Sequence, residues 1–181
     1  MCNYKATMKK TITTIILFAA IAVQSQVAID KPNIANGSVS LEFGDTENKG
    51  IILPYVTSKS GITENGTIIY DASDFKIKYL KDTNTWFDLS VDPTGTADLS
   101  IQGSDKIEQP GAKVTIYSTA SADDALQGIL VLGDTDKAMI LPKVASPHLN
   151  IINPSAGMMA YDTVKKQLAV YNGKVWTFWK P

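Results

Sequence analysis

Arginine is absent from this sequence, and cysteine and histidine occur once each, as Cys2 and His148. Every one of the 17 basic residues is a lysine, set against 18 acidic residues. Lysine is a point charge without the planar fork that grips phosphates and base edges in bidentate fashion, and the balance is slightly acidic, so nucleic-acid binding is not expected. A single cysteine permits no internal disulfide and no thiolate metal site. A lone histidine offers neither a multi-imidazole metal set nor a triad base beside a nucleophile, and His148 reads as a surface loop residue. Beyond the N-terminus no segment carries a helical hydrophobic period, which leaves strands and turns to build the fold.

The one long apolar run, Thr11 to Val23, is about 13 residues, short of the roughly 20 that span a bilayer as a helix. Lys9 and Lys10 precede it and Val23-Gln24-Ser25 follows as a cleavage site, so residues 1–25 read as a signal peptide, with Gln26 as the new N-terminus. Translation starts at Met1 or at Met8, where the signal proper begins. Cys2 stands ahead of the apolar core, where a lipid anchor does not attach. The expected product is therefore free of cysteine and about −4 in net charge, since Lys5, Lys9 and Lys10 leave with the signal. Export without disulfides fits a Gram-negative bacterial protein that is secreted or held at the cell surface, with no membrane insertion after cleavage.

What the sequence has in place of chemistry is repetition. Gly50-Ile51-Ile52-Leu53-Pro54 returns as Ala138-Met139-Ile140-Leu141-Pro142. Gly44-Asp45-Thr46 answers to Gly133-Asp134-Thr135, Gly66 and Tyr70-Asp71 to Gly157 and Tyr161-Asp162, and Trp86 to Trp176, at spacings of 88 to 91 residues. This regularity implies a duplicated unit. The organisation read from it is a first β unit at 27–89, a linker at 90–112 and a second β unit at 113–181. Alternating runs such as Val39 to Phe43 and Phe75 to Tyr79, separated by Gly, Asn and Asp turns, give short strands in each unit. Asn172-Gly173 is a strong hairpin signal, and one further strand is expected at Leu99 to Ile101. The fold expected is all-β, two related units of short antiparallel strands in a meander or sandwich, with little helix outside the signal.

One strand differs between the copies. Where the first unit has Ser40-Leu41-Glu42-Phe43, the second has Ile129-Leu130-Val131-Leu132, apolar on both faces. A strand of that kind requires cover on both sides. Either the first unit or a neighbouring chain supplies it, and Ile129, Leu130, Val131 and Leu132 are accordingly the candidate self-association strand.

No reaction is legible. The pairs Asp45/Glu47, Asp123/Asp124 and Asp134/Asp136 lack the regular spacing of a calcium loop. Asp71 and Asp162 each follow a Tyr at the start of a hairpin and read as turn caps rather than paired catalytic carboxylates. No phosphate loop or nucleophile elbow occurs. The protein is expected to be no enzyme, with no catalytic, cofactor-binding or metal residues and no cofactor. Aromatics at matched places, above all Trp86, Tyr171, Trp176 and Trp179, are the candidate ligand residues of an alternative reading as a secreted carbohydrate-binding module, although such rings also fill a thin β core.

The order of an apolar strand ending in Leu53-Pro54, a polar loop, Gly66 and Tyr70-Asp71, then Leu141-Pro142, Gly157, Tyr161-Asp162, Tyr171-Asn172-Gly173 and Trp176, resembles the β-rich repeat of exported bacterial surface proteins and phage tail-fibre-like proteins. That repeat often lies upstream of an endosialidase-type intramolecular chaperone domain, which is not read in this sequence. The resemblance implies a non-enzymatic structural or adhesive protein of the surface or fibre-like kind, whose partners are further copies of itself, another surface component or a glycan.

Overall fold

The computed structural model describes residues 26–100, 109, 111–117 and 128–180. The leader read at 1–25 and the acidic pair at 123–124 lie outside them. The described residues form strands β1 (Val27–Ile29), β2 (Val39–Phe43), β3 (Ile51–Ile52), β4 (Tyr55–Val56), β5 (Ile68–Asp71), β6 (Lys76–Asp82) and β7 (Thr85–Asp88). They continue with β8 (Val114–Ile116), β9 (Leu130–Leu132), β10 (Ala138–Ile140), β11 (Lys143–Val144), β12 (Met158–Asp162), β13 (Gln167–Tyr171) and β14 (Trp176–Trp179). One short helix, α1 (Pro147–Asn150), interrupts them. The all-β expectation holds, and so does the scarcity of helix among the described residues.

Antiparallel meanders account for only part of the pairing. β5–β6–β7 and β12–β13–β14 are antiparallel, as the Asp and Asn-Gly turns dictate. The pairs β1–β2, β2–β10, β4–β5, β8–β9 and β11–β12 are parallel. For the strands on either side of Pro54 and Pro142, proline explains the change of partner. Pro54 and Pro142 have no N–H to give a ladder, so each apolar run ends there and the chain enters a different sheet. Before Pro54, β3 pairs with β12; after it, β4 pairs with β5. Before Pro142, β10 pairs with β2; after it, β11 pairs with β12. The carbonyls of the two prolines do the same work, accepting from Tyr70 N–H at 3.0 Å and Tyr161 N–H at 2.9 Å.

The sheets β4-β5-β6-β7 and β11-β12-β13-β14 share a register. Asp71 faces Lys76 as Asp162 faces Gln167, and Ile69 faces Lys78 as Ala160 faces Ala169, each pair reappearing 91 positions later. The backbone repeats the correspondence: Gly66 and Gly157 have positive φ (86° and 74°), as do Phe75 and Lys166 (59° and 53°).

The core lies between these two sheets. Tyr70, Ile77, Ala156, Met159 and Val170 form one buried cluster, on which both Leu53 and Leu141 pack. Val144, Ile151, Met158 and Ala160 form a second on the other face of the β12 sheet. The residues after β7 are bound to this core. Thr96 N–H donates to Asn172 O at 3.2 Å, Asn172 Nδ2 donates to Asp92 O at 3.1 Å, and Ala97 packs on the first cluster. Leu99 and Ser100 carry no strand, and Ile101 lies outside the described residues.

Candidate self-association surface

Among the described residues, the strand that is apolar on both faces has no cover beyond β8. β9 pairs with β8 alone, and Ile129 and Leu130 are 57% and 47% exposed. Ile129 sits in the bend before the strand, and its backbone carbonyl accepts from Val114 N–H at 2.8 Å. Val131 and Leu132 are half-buried, while Val114 on β8 is exposed. At the corresponding place β2 has neighbours on both edges, β1 and β10, and Leu41 is sealed.

β2 also explains how a polar strand is buried. Ser40 and Glu42 are fully buried, and Lys31 Nζ lies 2.6 Å from Glu42 Oε1 while Ala35 N–H donates to Oε2 at 2.6 Å. The Lys31 bond is the main reason the carboxyl is held below its usual range; burial opposes it and the Ala35 bond adds to it. A carboxylate so partnered remains ionised inside the fold.

Asp71 and Asp162 cap turns, as their positions imply. Asp71 Oδ1 accepts from Ser73 N–H at 3.0 Å, and Oδ2 receives Lys59 and, at 3.0 Å, Lys78. Burial works against the Asp71 carboxylate, but Lys59, Ser73 and Lys78 outweigh it and hold its pKa well below the ordinary range. Asp162 Oδ1 accepts from Val164, Lys165 and Ser146 N–H groups at 2.9, 3.2 and 3.2 Å. There too burial is overcome, by those donors and by Gln167, and the pKa is lowered. With their oxygens so engaged, neither carboxylate is set up as an acid or base. Among the described residues no group of His, Cys, Asp and Glu could hold a metal ion, and no helix is long and apolar enough to cross a membrane.

The aromatics lie in separate places. Trp86 stands opposite Leu80. Trp176 contacts Tyr171 at 5.1 Å between ring centres and stacks on Phe178 at 6.4 Å, against the second core cluster. Trp179 donates its indole N–H to Leu89 O at 2.5 Å and meets Phe87. His148 stands edge-on to Phe178. Of these rings, Trp179 joins the two sheets through Phe87 and Leu89. One residue central to that joint, Asn172, carried a turn signal only: besides closing its hairpin, its carbonyl accepts from the Tyr70 hydroxyl at 2.9 Å.

Residues 115–180 match the family model described as phage tail like trimerisation region. That match supports a phage tail-fibre-like relationship, and it covers β9 to β14 and the end of β8. Comparison with curated proteins and with solved structures gave no match.

Proposed function

We propose that this chain is a non-enzymatic, fibre-like structural protein that associates with copies of itself, as a trimer, through its second half. The observation that carries the reading is a coincidence: the segment similar to a trimerisation region contains β9, whose Leu130, with Ile129 just before it, stays about half exposed among the described residues. Exposed apolar residues gathered on one strand mark a contact surface. Export through a signal at residues 1–25, duplication of an ancestral β unit, and an adhesive role at a bacterial surface complete the proposal.

Light scattering coupled to size exclusion, on the full chain recovered from a bacterial host, tests it. Three times the chain mass is expected, and N-terminal sequencing should begin at Gln26. Ile129→Glu should return the particle to a monomer with an unchanged melting profile, because Ile129 is mostly exposed in the single chain. A wild-type monomer at all concentrations overturns the reading.

A further inference from the structure

The two halves of the chain are joined by a contact that leaves its own counterpart open at both ends. Two strand pairings make the joint. β3 of the first half lies on the β12 edge, with Ile51 beside Met159 and Ile52 beside Met158, and Leu53 N–H reaches Gly157 O at 3.1 Å. β10 of the second half lies parallel on β2, with Met139 beside Leu41 and Ile140 beside Glu42.

Moving each pairing one repeat along the chain shows what is vacant. The counterpart of β12 is β5, and the counterpart of Met158-Met159 is Thr67-Ile68. β4 covers only Tyr70 and Asp71 on that side of β5, so among the described residues no strand lies against Thr67-Ile68. Burial agrees: Gly157, Met158 and Met159 are buried, whereas Gly66 is exposed and Thr67 and Ile68 are half-buried. The counterpart of β3 is β10, whose second edge is unpaired among the described residues. Likewise β9, the counterpart of β2, has no neighbour where β2 has β10, and β3 is paired on one edge only.

These four open edges are complementary in pairs. We infer that a second copy of this chain docks its first half on the second half of the first copy, reusing the joint found inside the chain. The β10 of one copy lies antiparallel on Thr67-Ile68 of the next, and the β3 of the next lies parallel on β9. Ile140 then stands beside Thr67, and Val131 beside Ile52. The inference rests on the self-association proposed above and names its surface. The exchange of Ser40 and Glu42 for Ile129 and Val131 fits it. Glu42 has Lys31 as its partner, and the apolar β9 meets the apolar β3, whose Ile52 is itself 51% exposed. One difference is built in. A Cβ on Gly50 would lie 2.8 Å from Met159 O, and Ala138 takes the place of Gly50, so β10 must sit a few tenths of an ångström further from its new edge. The contact joins unlike surfaces, and such contacts close into a ring when the rotation allows.

Engineered cysteines read the register directly, since facing residues of neighbouring strands have Cα atoms within disulfide reach. In a full-length Cys2→Ser background, Thr67→Cys chains are mixed with Ile140→Cys chains and oxidised mildly. Ile52→Cys chains are mixed with Val131→Cys chains as the second contact. Each single variant is first checked for a wild-type melt. The double variant Ile52→Cys/Met158→Cys is the positive control and should lose its free thiols within one chain. Val91→Cys with Val164→Cys, two exposed positions off both edges, reads random collision. Both edge mixtures should form covalent dimers at least ten-fold above the collision pair. Dimers no more abundant than that pair, in a protein that still scatters as an oligomer, overturn the docking inference and leave self-association standing. A monomeric mass together with absent cross-links overturns both.

Discussion

β2 and β9 occupy corresponding places in the two halves and solve opposite problems. β2 presents Ser40 and Glu42 and is sealed from solvent; β9, with Ile129 in the bend before it, presents Val131 and is half open. Burial here does not follow from the side chains of the strand. It follows from the number of neighbours among the described residues, two for β2 and one for β9. The polar strand is tolerated inside because one lysine and one N–H satisfy Glu42, and the apolar strand is left half open because, among the described residues, β8 is its one neighbour. The composition of β9 is therefore suited to the self-associated state proposed above.

The largest effect is expected where the halves share a core. Tyr70 is fully buried in the cluster between the sheets, while its counterpart Tyr161 is half-buried. Tyr70→Ala should lose about 4 kcal/mol in chemical denaturation, and Tyr161→Ala less than half as much. Equal losses would show that both tyrosines serve the same core.

β2 and β9 themselves give the next contrast. Glu42→Ala leaves Lys31 and the Ala35 N–H without their acceptor and should cost about 2 kcal/mol. Val131→Ala, measured at concentrations where the protein is monomeric, should cost less than about 1 kcal/mol. A Val131→Ala loss as large as that of Glu42→Ala would mean that β9 is already covered within one chain.

The smallest effect concerns pH and separates the two turn aspartates. Asp71, Asp162 and Glu42 all have folded-state pKa values lowered below their unfolded ones. Their contribution is full above the ordinary carboxylate pKa of about 4 and disappears as pH falls below it toward the folded values. The thermal midpoint should thus decline below about pH 4 and stay level between pH 5 and 8. Asp71 is held by lysine charges and Asp162 by N–H donors. Added salt should therefore shrink the penalty of Asp71→Asn and leave that of Asp162→Asn alone; equal salt responses would contradict the assignment.

Much of the fold was legible wherever the signal is local. Alternation marked β2 and β6, turn residues marked the hairpins, and Asn172-Gly173 closed the last one, with Gly173 at a φ of 96°. The strand partners were not legible. Nothing in Ile51-Ile52 says that it pairs with β12, or in Ala138 to Ile140 that it pairs with β2, because such pairings depend on distant residues and not on turn chemistry. The parallel pairs went unread for the same reason, although the prolines that force the change of sheet stood in plain view. Of the surface, the sequence marked β9 by its lost polar positions. It did not mark Thr67-Ile68 or the outer edge of β10, which are defined by what lies beside them.

The crossing of the chain at Pro54 and Pro142 has a mechanical consequence. Each half holds a strand of the other: β3 sits in the sheet of β12, and β10 sits on β2. A cut in the connecting segment between residues 100 and 109 would sever the covalent path and still leave one particle, its two fragments buttoned together by backbone ladders and the shared Tyr70 core.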